Sequence, residues 1–197
     1  MNTRRCLLIS LALFGYTILS NAQQPTLNNS AQSPTPAPLR EYLSPEGRFK
    51  VLLCEKPEEV NETVDSASGK LAVHQLVCPS TPAYSVTYVD YPFNLETADL
   101  VKKTLDKARD GGLAGVAKED PRITLESDIS IDGHPGRFFQ IELKGDAIVR
   151  TRCAIVGNRI YVISVGSPKQ KPQVVDATND YEGLAASFLN SFKTIPQ

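Results

Sequence analysis

Three dipeptides, Asp132-Gly133, Gly145-Asp146 and Gly157-Asn158, cut the second half of the chain into four short alternating segments. Two-residue loops of this chemistry reverse the chain at once, so the segments they join are antiparallel hairpin strands rather than parallel ones, which need a long crossover. Ile123, Leu125, Ile129 and Ile131 share one parity before the first turn, and Phe139, Ile141 and Leu143 share one after it. Val149, Thr151, Cys153 and Ile155 continue the pattern to the third turn. Such alternation describes strands covered on one face. Ile160 to Val165 is apolar at nearly every position, which predicts a central strand covered on both faces.

The first half supplies three more strands and a helix. Phe49 to Leu53 alternates weakly after Ser44-Pro45-Glu46-Gly47, a turn in which glycine can take positive φ. Leu71 to Cys78 forms a second strand beyond a polar loop containing Pro57 and Gly69, and Tyr84 to Tyr91, rich in aromatic and β-branched residues, forms a third that Pro92 ends. Ala98, Val101, Leu105 and Ala108 recur at helical spacing, with Gly111-Gly112 as the stop. The stripe is narrow, so this helix lies on a sheet. A second amphipathic helix carries Tyr181, Leu184, Ala185, Phe188, Leu189 and Phe192 on one face, with Thr178, Asn179 or Asp180 as its cap. The fold class that follows is α+β: an antiparallel sheet of about six or seven strands covered by two main helices.

The N-terminus gives an address. Arg4 and Arg5 precede an apolar run from Cys6 to Ser20, and Ser20-Asn21-Ala22 is a small-x-small cleavage signature, so residues 1–22 read as a signal peptide cleaved after Ala22. The run is too short to span a bilayer, which takes about twenty apolar residues. Thr3 to Leu8 also resembles a twin-arginine export motif, and the residues before Cys6 lack the pattern of a lipoprotein signal. Residues 23–40 hold four prolines and little that can enter a core, so they read as a disordered tether. Residues 41–197 are left for a single globular domain, of a size that one core serves. The expected location is extracytoplasmic: secreted, periplasmic or the thylakoid lumen. Loss of the two leader arginines leaves the 22 acidic side chains in excess, so nothing attracts nucleic acid. The basic cluster of Lys102, Lys103, Lys107 and Arg109 is interleaved with Asp99, Asp106 and Asp110 and reads as a solvated helix face.

Several of these turn and core segments together resemble a known family. Ser44-Pro45-Glu46-Gly47-Arg48-Phe49-Lys50-Val51, Tyr84 to Pro92, Asp132 to Arg137 and Val156-Gly157-Asn158-Arg159-Ile160-Tyr161 look like a group of small exported bacterial proteins. The body from Tyr42 to Phe192 is similar in element order to the Mog1/PsbP-like α/β/α sandwich. The resemblance implies an accessory or binding module without catalytic machinery, since the family includes extrinsic photosystem subunits, a Ran-binding protein and exported bacterial proteins of unassigned role. The chain departs from the pattern at Cys54, where a proline or small turn residue is expected.

After cleavage three cysteines remain, Cys54, Cys78 and Cys153, so one internal bridge at most can form. Cys54 and Cys78 are candidates for it. Pairing of the first two strands through the long loop puts them several residues off register and too far apart, whereas a wider bend brings them together. Cys153 shares parity with Val149 and Ile155 and reads as a buried inert thiol. Neither histidine, at 74 or 134, has zinc-type spacing around it, no G-x-S-x-G elbow is present, and Gly111, Gly112 and Gly115 do not make a phosphate loop. Asp90, Glu126, Asp128 and Glu142 read as solvated carboxylates on strand faces. No catalytic residue, metal site or cofactor is expected. The candidate binding turn is Asp132 to Arg137, with His134 and Arg137 as the contacting side chains. Tyr84 and Tyr88 share one strand face and Tyr91 takes the other, so they make no single patch. The expected function is an exported binding module acting through an unidentified protein partner, with no membrane segment after cleavage. The alternative is a small-ligand carrier or envelope stress protein with a pocket between helix and sheet.

Overall fold

The computed structural model describes residues 38–66, 68–169 and 180–196; the leader, most of the tether, and Thr178 and Asn179 lie outside them. Ten strands and two helices follow in the order β1 (Arg40–Ser44), β2 (Phe49–Leu53), β3 (Glu58–Ser66), β4 (Gly69–Cys78), β5 (Ala83–Asp90), α1 (Ala98–Gly115), β6 (Arg122–Ile131), β7 (His134–Leu143), β8 (Ala147–Val156), β9 (Arg159–Pro168), α2 (Tyr181–Ser191) and β10 (Lys193–Thr194). The main sheet has seven strands in the order β3-β4-β5-β9-β8-β7-β6, and every pairing in it is antiparallel. A second sheet, β1-β2-β10, has three. β9, the apolar run, holds the centre of the main sheet, as its two-sided hydrophobicity requires.

Two cores lie on opposite faces of this sheet. On one, Leu105 and Ala108 of α1 pack on Phe139, Ile141, Val149, Cys153, Ile155 and Val162. On the other, Ala185, Phe188, Leu189 and Phe192 join Phe49, Val51 and Leu53 of the small sheet over Tyr84, Val86, Tyr88, Tyr161 and Ile163. The small sheet therefore shares a layer with α2, and Asp180 caps that helix by accepting a hydrogen bond from the Gly183 N–H at 2.8 Å.

Four details depart from the sequence reading. The expected first strand, β2, belongs to the small sheet, and its place in the main sheet is taken by β3, which occupies the segment read as a polar loop. β3 escapes a hydrophobicity pattern because it is an edge strand, EEVNETVDS, exposed along most of its length; charge on an edge discourages pairing with other chains. α1 does not stop at Gly111-Gly112 but runs on to Gly115. Gly111 is buried there, and a Cβ on Gly112 would sit at ordinary packing distance, 3.5 Å, from the Phe139 ring, so the glycine pair lies inside the helix on the side turned to the sheet. Finally, a bulge between Ile123 and Leu125 shifts the register of β6. Ile123 packs toward α1, Ile129 and Ile131 pack toward α2, and Leu125 is left exposed, although the sequence gives all four one parity.

Candidate functional site

The β1–β2 turn, Pro45 to Arg48, lies across the face of the main sheet as a ridge with a hollow on each side. Its anchor is Arg159. The register pairs Asp90, at the end of β5, with Arg159, the first residue of β9. The guanidinium meets both Asp90 carboxylate oxygens at 2.6 Å and donates its remaining bonds to the carbonyls of Glu46, at 2.9 Å, and Gly47, at 2.7 Å. Tyr161 Oη donates to the Gly47 carbonyl at 2.8 Å. Planar, bidentate geometry of this kind needs arginine, since a lysine ammonium presents a point charge. Gly47 itself is buried, and any Cβ on it would enter the Phe49 ring. The left-handed φ of the turn falls on Arg48, at 56°, not on Gly47.

A cross-strand row extends from this anchor. Asn61, His74, Tyr88 and Tyr161 occupy successive positions on β3, β4, β5 and β9. His74 stacks on the Tyr88 ring with centroids 4.7 Å apart and planes 11° off parallel, and the Arg159 guanidinium lies 4.4 Å from the centroid of that ring. Nδ1 of His74 lies 2.8 Å from Oδ1 of Asn61. The hydrogen bond from Arg159 holds the Asp90 carboxyl below its ordinary pKa, against the opposing effect of burial.

The smaller hollow, about 220 Å³, lies between β1 and this row, and Tyr42, Glu46, Glu59, Asn61, His74 and Tyr88 line it. Burial, then the Glu59 carboxylate and a hydrogen bond to it, raise the Tyr42 phenol. Burial, then the Glu46 carboxylate, raise Tyr88. The larger hollow, about 550 Å³, lies on the Arg48 side of the ridge, among Asn94, Asp132, His134, Asn158 and Ile195. Asp132 stiffens it by accepting from the Thr194 N–H at 2.8 Å and from Lys193 Nζ at 3.0 Å, which ties the β6–β7 turn to β10. Burial raises the Asp132 carboxyl, but those donors outweigh it and the net direction is down.

The structure does not bring the two candidate contact residues together. Both belong to strand β7, the turn proper being Asp132-Gly133. His134 lines the larger hollow. Arg137, an odd number of residues on, faces α1 and is buried, paired with Asp106, with Glu126 at 3.2 Å and with Asp128 at 3.2 Å. Its work is to fasten α1 to β6 and β7. Asp90, Glu126, Asp128 and Glu142 each meet a cation rather than one another. Cys54 and Cys78 are bridged, with Cα atoms 6.0 Å apart, and the link joins the end of β2 in the small sheet to the end of β4 in the main one. Cys153 is a buried free thiol. Among the described residues no group of three or more His, Cys, Asp or Glu side chains is placed to hold a metal ion, and no helix is long and apolar enough to cross a membrane. Sequence reasoning did not single out Arg159, Glu46 or Glu59 and read Asp90 as a solvated carboxylate; Asp90 and Arg159 meet only through the register of β5 with β9, and Glu46 and Glu59 line one hollow only through the fold of the hairpin beside β3.

The chain matches no family model and no curated protein. Among solved structures it is similar to cyanobacterial PsbP (CyanoP) from Synechocystis sp. PCC 6803, with 14% identity over 84% of this chain and 98% of that one, at a TM-score of 0.49. It is similar also to a Bacteroides thetaiotaomicron protein, with 11% identity over 80% of this chain and 48% of that one, at a TM-score of 0.40. A protein of unknown function from Pseudomonas aeruginosa aligns at 9% identity over 67% of this chain and 84% of that one, with a TM-score of 0.32. The first of these is a PsbP protein, the family that the turn and core segments of this chain resemble.

Proposed function

We propose that this protein is an exported, non-catalytic binding module that engages a protein partner at the ridge and hollows formed by the β1–β2 turn. The observation that carries the reading is the contrast between outside and inside. The larger hollow offers about 550 Å³ of open space among loops from five places in the chain, on a rigid sheet, which is the ordinary setting of a recognition site. The apolar slot between α1 and the sheet, lined by Val64, Leu71, Val89, Tyr91, Ala108 and Ile160, has only about 50 Å³, enough for a few waters. A ligand carrier needs a pocket of about 300–1,000 Å³ in that place. Two of the large exposed hydrophobic side chains, Leu43 and Phe93, flank the hollows: Leu43 lines the smaller one and Phe93 precedes Asn94 of the larger. The Cys54–Cys78 bridge supports an oxidising, extracytoplasmic location.

The test is affinity capture from the native envelope with the wild-type protein and with a His134→Glu/Ile195→Glu variant whose fold is checked by circular dichroism. Specific proteins are recovered by the first and lost by the second. Recovery of the same proteins by both, or of a small molecule alone, overturns the reading.

A further inference from the structure

The edge strand β3 has little of its own to hold it. Most of its residues are exposed, and its one strand neighbour is β4. Elements that bury so little open before the rest of a fold. The ladder runs from Glu58 opposite Val77 to Ser66 opposite Gly69, where the chain turns back. At the other end the Cys54–Cys78 bridge closes the hairpin, because Cys54 precedes β3 by a short link and Cys78 is the last residue of β4. A turn therefore pins one end of β3, and a covalent bond pins the other. The two sulfurs of that bond are not equivalent. Cys54 is half-buried, whereas Cys78 is 1% exposed and sits in the core under α2. The Cys54 N–H donates to Cys78 Sγ at 3.2 Å, a contact that favours negative charge on that sulfur. Thiol–disulfide exchange needs access for the attacking thiolate at one sulfur and a departing sulfur that tolerates charge. Here the open residue and the stabilised sulfur lie at opposite ends of the bond. Cys153 is buried in the core on the other face of the main sheet, so it cannot reach the bridge and exchange must come from outside.

From this arrangement we infer that the Cys54–Cys78 bridge is a thiol-exchange site, attacked at Cys54 by an external dithiol, and that it works as a redox latch on β3. In the first step a thiolate of the dithiol bonds to Cys54 Sγ, and the electron pair of the bridge leaves on Cys78 Sγ beside the Cys54 N–H. The second thiol of the dithiol loses its proton and displaces Cys54 Sγ from the mixed disulfide. Two electrons and two protons pass in all, the bridge becoming two thiols and the dithiol a disulfide. The two sheets stay joined without the bond, since the Leu52 N–H donates to Ser191 Oγ at 2.8 Å and Arg159 holds the ridge. What comes free is the base of the β3–β4 hairpin. The latch lies past the Leu53 end of β2, away from the ridge that precedes Phe49, so it stands apart from the binding-module reading and either can fail alone.

The experiment compares the oxidised wild-type protein with the same protein under dithiothreitol, by hydrogen–deuterium exchange read by mass spectrometry. The reduced protein keeps its circular dichroism spectrum and the protection of β5, β8 and β9, and loses protection in β3. Reaction with oxidised glutathione then locates the attack. A Cys78→Ser variant takes up glutathione at Cys54 faster than a Cys54→Ser variant takes it up at Cys78, on the order of tenfold or more, because access governs the rate. Cys153 stays unmodified in both. A bridge that dithiothreitol reduces only as the whole protein unfolds, unchanged exchange in β3 after reduction, loss of protection spread over the main sheet, or equal or faster reaction at Cys78 overturns the inference. The exchange measurement is made on the wild-type chain, so it decides the latch even where a serine variant does not fold.

Discussion

Arg159 concentrates much of the site's order in one side chain. Only 6% of that side chain is exposed, and its removal takes the donor from the Glu46 carbonyl, leaves the Gly47 carbonyl with the Tyr161 hydroxyl and leaves the Asp90 carboxylate with Arg48 at 3.5 Å. Arg159→Met is therefore expected to lower stability by about 2–4 kcal/mol at neutral pH, below the full cost of breaking a buried pair because Asp90 is partly solvated. The pH dependence has a definite sign. Asp90, Asp106 and Asp132 all have folded-state carboxyls held below their ordinary value, so their stabilisation is complete above the unfolded value near about 4 and is lost as pH falls through the lower folded values. Thermal unfolding followed from pH 7 to pH 3 should show the gap between wild type and Arg159→Met closing on acidification; a constant gap would show that Asp90 is not its partner in solution. Cys153 gives a second check, since burial pushes its thiol up to about 12. In unreduced protein it should resist alkylation at pH 8 while folded and react on unfolding, with Cys54 and Cys78 unlabelled throughout. Little of this was legible beforehand. His134 was visible as a histidine beside a turn, but Asp90 and Arg159 are 69 positions apart and meet only through strand register.

At the scale of elements, the sequence carried most where periodicity and turns coincided. The hairpins of β6 to β9, the central position of β9 and the buried face of α2 all follow from alternation or helical spacing, because those segments bury one face or both. Segments that bury little carry no such signal, which is why β1, β3 and β10 were invisible and why β2 was assigned to the main sheet. Gly111-Gly112 misled for a different reason: glycine is common at helix ends, but here the pair sits inside α1, which runs on to Gly115. A direct consequence is that Gly112→Ala should stabilise α1 by about 0.5–1 kcal/mol, the helix-interior advantage of alanine, because the added methyl makes only ordinary van der Waals contact with Phe139. Denaturant unfolding would register this as a higher midpoint at unchanged slope. A lower midpoint would mean that the helix and sheet are already as close as they can stand.

For the molecule as a whole, the two sheets are held together by the core under α2, by Arg159 and by one covalent link. The Cys54–Cys78 bridge closes a loop of 24 positions that contains the whole of β3, and its loss in a Cys54→Ala/Cys78→Ala variant should cost about 3 kcal/mol. Scanning calorimetry with and without reductant would measure the same difference in the wild-type protein, and no response to reductant would argue that the pair is not joined. A further property follows from how the Pro45–Arg48 ridge is tied down. Proteases cleave segments that can be drawn out locally into their active-site clefts. A turn whose carbonyls are clamped from beneath by a guanidinium and a phenol cannot be drawn out without disturbing the layer below, so limited proteolysis of the folded protein should leave the Pro45–Arg48 turn uncut.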